Sequence, residues 1–202
     1  MNFDLNRKLP ADFYLDDVTS VAKNLLGKIF VKNANGVLLA GRIIEVEAYD
    51  GVNDEASHSY RGMTERNKVM FSQGGILYVY FTYGVHFCCN VVTAKSGYGA
   101  AVLLRSLEPM EGIDAMIKNR YGKLNASDKE KLNLVNGPGK ICKAFSIERQ
   151  DNGTDLRGDC IFILDAPNVN TSDIVESKRV GIKKSTDYLW RFYIKNKIVS
   201  KK

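Results

Sequence analysis

The alternation of apolar and polar positions divides this chain into strand-like runs separated by glycine- and asparagine-bearing turns, with helical spacing confined to a few places. The densest run, 76–92, is almost wholly β-branched or aromatic, which favours strand over helix. It follows Gly74-Gly75 and carries Tyr83-Gly84 near its middle, a pattern that predicts a β-hairpin with Tyr83 at its tip. Hairpin tips usually hold Asn, Asp or Gly. A bulky aromatic there is either a wedge, lid or docking anchor, or a side chain folded back on the sheet, and this stretch alone leaves both open. Parity supplies a test. Tyr80 and Asn90 share one face only if the loop has odd length or a bulge restores the register, whereas a two-residue turn at Tyr83-Gly84 sets even positions opposite odd ones.

Upstream, Asp16 or Asp17 can cap a helix whose apolar face is Val18, Ala22, Leu25 and Leu26, with Gly27 as its stop. Two strand-like segments, 28–32 and 37–47, flank Asn35-Gly36, a strong hairpin signal. In the second, alternation puts Glu45, Glu47 and Tyr49 on one face and Ile44, Val46 and Ala48 on the other. A strand is expected over 100–107, carrying Arg105 among leucines. Pro109 is expected to start a helix at about 111–120, and Ser127-Asp-Lys-Glu130 resembles a capping box before a shorter one. Asn136-Gly-Pro-Gly-Lys140 leads into a short helix over 141–146. Strands are expected at 159–165, 178–182 and 191–199. With no βαβ alternation, the pattern predicts one α+β domain over 1–202: a curved, mostly antiparallel sheet, flanking helices and a protruding hairpin.

Composition adds little to the fold but narrows the partners. The 202 residues are enough for one good core, and 45% hydrophobic with 26% charged residues is ordinary for a globular protein. Neither a run of about 18 apolar residues nor a signal-peptide h-region is present, so a cytoplasmic location is expected. The four cysteines form no Cys-x-x-Cys pair, and buried thiols in a reducing compartment are expected. With only His58 and His86 as histidines, a zinc site is not expected. The net charge of +6 and a pI of about 9.0 suit a polyanionic partner without requiring one.

Candidate chemistry gathers on few residues. Glu47, Tyr49 and His58 lie at a strand end and in the loop leaving it; Tyr78, Tyr80, Asn90 and Arg105 come from neighbouring strands. Together they would line a pocket with aromatic walls that accept a flat heterocycle, where an acid beside an arginine can hold and deprotonate a water. Taken singly, Glu47 reads as a surface carboxylate, Tyr49 as a core residue and His58 as structural; an arginine inside an apolar strand, however, demands a carboxylate or phosphate partner. Arg61, Arg66 and Lys68 sit in a loop that is either solvated or phosphate-contacting. Lys140 opens a helix that could hold a phosphate or be an ordinary loop-to-helix entry.

A resemblance joins these pieces. Glu45-Val-Glu-Ala-Tyr49, Asp54-Glu-Ala-Ser-His58, Thr64-Glu-Arg-Asn-Lys-Val-Met-Phe71, Leu77-Tyr-Val-Tyr-Phe-Thr-Tyr-Gly84, Phe87-Cys-Cys-Asn90, Val102-Leu-Leu-Arg-Ser-Leu-Glu-Pro-Met-Glu-Gly112, Gly137-Pro-Gly-Lys140 and Arg179-Val-Gly-Ile182 stand in the order seen in alkyladenine (3-methyladenine) DNA glycosylases. The likeness runs from about residue 25 to 199. It implies an enzyme that flips alkylated or deaminated purines (3-methyladenine, 7-methylguanine, hypoxanthine, ethenoadenine) out of duplex DNA and hydrolyses the N-glycosidic bond. By resemblance, Tyr83 is the wedge, and the flipped base lies between Tyr49 and His58 on one side and Tyr80 on the other, with Tyr78 beside it. Glu47 is then the general base, Arg105 positions the water, and Asn90 disfavours a guanine amino group. Arg61, Arg66, Lys140 and Arg179 are expected at the DNA backbone. A monomer of compact bacterial type, associated with the nucleoid and needing no metal or cofactor, is implied. A non-catalytic nucleic-acid-binding domain and an RNA- or nucleotide-processing hydrolase are the rival readings.

Overall fold

The computed structural model describes residues 3–34, 36–82 and 84–200. Asn35 of the first expected turn and Tyr83 of the second lie outside the described residues. Among the described residues the strands are β1 (Ile29–Ala34), β2 (Val37–Tyr49), β3 (Leu77–Thr82), β4 (His86–Thr93), β5 (Ala100–Glu111), β6 (Ile161–Leu164), β7 (Ile174–Ser177) and β8 (Arg191–Ile194). The helices are α1 (Val18–Leu25), α2 (Ile113–Tyr121), α3 (Asp128–Leu132) and α4 (Pro138–Ala144). The sheet runs β3-β4-β5-β2-β1-β6, with β8 on the same edge of β2 beyond β1 and β7 paired to β8. Every pairing is antiparallel. The architecture is the expected α+β domain on a curved antiparallel sheet.

Local chemistry explains the helix ends. Asp17 Oδ1 accepts from Thr19 N and Ser20 N at 2.9 and 3.2 Å, satisfying two amides at the start of α1. Gly27, at φ +86°, follows its end. Ser127 and Glu130 close the capping box of α3. Pro138 opens α4, where its missing N–H costs nothing.

Alternation along the strands separates two faces. Val46, Ala48, Leu77, Val79, Cys89, Val91, Val102 and Leu104 point into one core with Val21, Ala22 and Leu25 of α1, Met116 of α2 and Ile141 of α4. The opposite face carries Glu47, Tyr49, Tyr78, Tyr80, Asn90 and Leu103. Adjacent Cys88 and Cys89 fall on opposite sides, as expected, but Cys160 is exposed rather than buried.

Two expectations are corrected. Pro109 does not start a helix; it lies inside β5, opposite Gly41. The register shifts there, from Gly41↔Pro109 to Ala40↔Glu111, and such a bulge tolerates a residue with no N–H to give the ladder. The helix begins only after Gly112. Residues 178–182 form no strand, because that backbone turns toward β2 to reach Glu47.

Candidate active site

The hairpin resolves its own parity. Tyr78 pairs with Asn90, Tyr80 with Cys88 and Thr82 with His86, so three positions separate the last pair, and Gly84 among them has φ +67°. The loop is odd in length, so Tyr80 and Asn90 sit diagonally on one face. One row then crosses four strands: Glu47 pairs with Leu103, Leu103 with Asn90, and Asn90 with Tyr78. Residues distant in sequence converge because cross-strand partners share a face.

Arg105 arrives by a different device. Ile43 pairs with Leu107, Glu45 with Ser106 and Val46 with Leu104, so Ile44 on β2 and Arg105 on β5 are extra residues in two opposed bulges. A bulge re-aims a side chain without losing the downstream register. The guanidinium reaches both acids, with NH1 donating to Glu47 Oε2 and Nε to Glu45 Oε1, each at 3.2 Å. The carboxylate partner demanded by an arginine in an apolar strand is thus found twice.

Glu47 is fully buried and tied on both oxygens. Oε2 also accepts from Tyr49 Oη at 2.9 Å, and Oε1 accepts from Val180 N at 2.7 Å. All three partners line a cavity of about 400 Å³, so the carboxylate stands one layer behind its wall. Burial first, and then the adjacent Glu47 charge, push the Tyr49 hydroxyl well above the usual tyrosine range, so it stays protonated and donates. Burial works against the Arg105 cation; Glu47 and Glu45 outweigh it and raise its pKa.

The remaining walls are aromatic. Tyr78 and Tyr80 stack at 5.5 Å between centroids, and His58 meets Tyr80 edge-on at 4.5 Å. His58 Nδ1 lies 3.2 Å from Tyr78 Oη, and Asn90 Nδ2 donates to the Tyr78 carbonyl at 3.2 Å. Desolvation among these rings, then Arg66, hold the imidazole below the usual histidine range. The expected sandwich is therefore closed on one side: a base between His58 and Tyr80 needs roughly 7 Å, two van der Waals gaps. Cys88 completes the floor, its thiol pushed up to about 12 by burial, so it is neutral.

The expected DNA-facing cations divide. Arg61 and Arg66 are exposed. Lys140 is half-buried and bonded to Asn133 and Asn136. Arg179 is a correction: its side chain is fully buried, NH1 and NH2 clamp Asp54 at 2.5 and 2.7 Å, and NH1 also reaches the Ala48 carbonyl. No surface remains for a phosphate to meet. Asp54 and Arg179 instead bolt the loop bearing His58 to the loop bearing Val180.

Sequence reasoning assigned no role to Asp54, Asn67, Arg191 or Ser200. Asn67 staples the His58 loop, donating to the His58 and Gly62 carbonyls at 2.8 and 3.0 Å. Glu45, read only as a neighbour of Glu47 on one face, turns out to be wholly buried and to join Arg105, Arg191 and Ser200. The strand alternation that placed it beside Glu47 was the available signal. Among the described residues no group of three or more His, Cys, Asp or Glu is placed to hold a metal, and no helix is long and apolar enough to cross a membrane.

Comparison with known proteins bears on this geometry. The family model described as Methylpurine-DNA glycosylase (MPG) matches residues 12–198. A protein of Clostridium novyi (strain NT) is 49% identical over 203 residues, covering 97% of this chain and 100% of its own length. One of Carboxydothermus hydrogenoformans is 48% identical over 196 residues, covering 96% and 99%. Both bear the name "Putative 3-methyladenine DNA glycosylase". With most of its length matched, the chain that carries this buried acid and its aromatic cavity belongs to the methylpurine-DNA glycosylase family.

Proposed function

We propose that the protein hydrolyses the N-glycosidic bond of damaged purines flipped out of duplex DNA, with Glu47 as the general base. The observation that carries this is the fully buried Glu47 carboxylate, bonded to Arg105 and Tyr49, directly behind an aromatic cavity. A purine that leaves the duplex loses a few kcal/mol of stacking, and a Tyr83 wedge regains about 1–3 kcal/mol. The balance favours bases already poorly paired. The base enters between Tyr49 and Tyr80 as His58 swings off the Tyr80 ring. Aromatic faces attract a cationic ring, which suits 3-methyladenine and 7-methylguanine; hypoxanthine and ethenoadenine rely on stacking alone.

Water attacks the sugar C1′ as the C1′–N bond breaks. The bonding pair leaves with the purine, and Glu47 takes the water proton while Arg105 holds the nucleophile. A cationic alkylpurine departs neutral and needs no acid, whereas hypoxanthine or ethenoadenine departs as an anion and takes its proton from bulk water. The ionised Glu47 also stabilises the oxocarbenium-like sugar, as carboxylates do in glycoside hydrolysis. General-base assistance is worth about 10²–10⁴-fold. Exposed Arg61 and Arg66, with Lys183 and Lys184 at the cavity rim, supply phosphate contacts, so affinity falls with salt.

The test is Glu47→Gln on duplex DNA methylated with dimethyl sulfate, with released bases resolved by chromatography. Binding should persist while release falls by about 10²–10⁴-fold. Unchanged release removes Glu47 as the base. A wild-type protein that binds this duplex and frees no purine leaves only the binding-domain reading.

A further inference from the structure

We propose that Ser200 is a positioning residue for Arg105, aiming its guanidinium at Glu47. Ser200 Oγ accepts from Arg105 NH2 at 2.9 Å and from Nε at 3.2 Å, and donates to Glu45 Oε1 at 2.9 Å. The guanidinium is planar and rigid. Pinning Nε and NH2 therefore fixes the plane and the direction of NH1, the nitrogen that meets Glu47 at 3.2 Å. Arg105 lines the cavity, and holding two of its nitrogens spares the rotamer entropy that a mobile arginine would lose on meeting Glu47.

The clamp is held from outside the site. Glu45 Oε1 also accepts from Arg191 Nε at 2.6 Å, and Glu45 Oε2 accepts from the Ser200 amide at 2.6 Å. Arg191, Glu45, Arg105 and Glu47 thus alternate in sign along one buried chain, so two cations offset two anions in a space that would tolerate none alone. Ser200 itself is buried and is located by its backbone: the amide on Glu45 and the carbonyl on Arg191 NH2 at 3.4 Å. The hydroxyl is therefore separable from the anchoring, and its removal leaves the backbone contacts standing.

The inference rests on Glu47 and Arg105 acting as proposed above, and the experiment separates the two. Ser200→Ala, Ser200→Thr and Glu47→Gln are compared by single-turnover release from methylated duplex, by Kd for a duplex with a stable abasic-site analogue, and by thermal melting. Ser200→Ala should release base roughly 10- to 100-fold more slowly, the scale of a misplacement of about 1 Å, with Kd unchanged. Ser200→Thr should recover most of the rate. Wild-type release from Ser200→Ala while Glu47→Gln is inactive overturns the positioning role alone. Rate, affinity and melting temperature falling together, with no recovery in Ser200→Thr, reduce Ser200 to a folding contact and overturn it too. Full release from Glu47→Gln overturns the base assignment, and the role of Ser200 with it.

Discussion

The Arg179 guanidinium lies 4.6 Å from the centroid of the Tyr49 ring, a cation seated against the residue whose hydroxyl holds Glu47. Trp190 takes another face at 5.3 Å, and Asp54 closes the ion pair. Removing one partner of a buried pair typically costs about 3–5 kcal/mol, because the other charge is stranded. Arg179→Met should therefore lower the urea unfolding free energy on that scale. Adding Asp54→Asn should restore part of it, since neighbours in one pair do not behave additively. A single variant as stable as wild type would show the pair to be dispensable.

Tyr49 has two separable parts, a ring that lines the cavity and a hydroxyl that donates to Glu47. Tyr49→Phe keeps the stacking surface and deletes the donor, so binding to a damaged duplex should hold while base release slows about tenfold, ~1.4 kcal/mol in the barrier. Tyr49→Ala should lose both. Equal binding losses in the two variants would place the hydroxyl, not the ring, in recognition.

His58 makes stability depend on pH in a fixed direction. In the unfolded chain an imidazole takes its proton at about pH 6.5. In the folded protein desolvation first, and Arg66 second, resist that proton. Between the folded pKa and about 6.5 the unfolded state binds more protons, so stability rises with pH. The contribution is complete above that range and is lost as pH falls through the folded value. The ring keeps an exposed edge, so the slope is a fraction of one proton. The urea midpoint of His58→Asn should be flatter than wild type between roughly pH 7 and 5; parallel curves would assign the slope elsewhere.

What the sequence made legible follows from the range of the forces involved. Asp17, Gly27 and Ser127 were readable because caps act within four residues. The two-residue period placed Glu47 and Tyr49 on one face, but only the registers among β2, β5, β4 and β3 brought Tyr78, Tyr80 and Asn90 beside them. Pro109 misled because a helix start and a bulge opposite Gly41 both spare an N–H. Arg179 misled because a cation on an expected short basic strand looks solvated until Asp54, 125 residues away, is brought beneath it. The contacts of Ser200 with Glu45 span 155 residues, and no local pattern encodes them.

The hairpin offers the last test, because its two functions are assigned to different residues. Tyr80 lies well inside the register, paired with Cys88 and stacked on Tyr78, whereas Tyr83 lies outside the described residues. If Tyr80 receives the flipped base, Tyr80→Ala should weaken binding to damaged duplex by about 1–3 kcal/mol, the value of one base–aromatic stack, and leave undamaged duplex unaffected. If Tyr83 fills the gap left in the helix, Tyr83→Ser should weaken binding to damaged duplex more than to single strands, where there is no stack to fill. On the proposed roles, one residue meeting the extruded base and the other the duplex it left, the two losses should add. Equal loss of duplex and single strand in Tyr83→Ser would end the wedge assignment while leaving Tyr80 in the pocket. A Tyr80→Ala variant that binds damaged duplex normally would instead move the base out from between these rings.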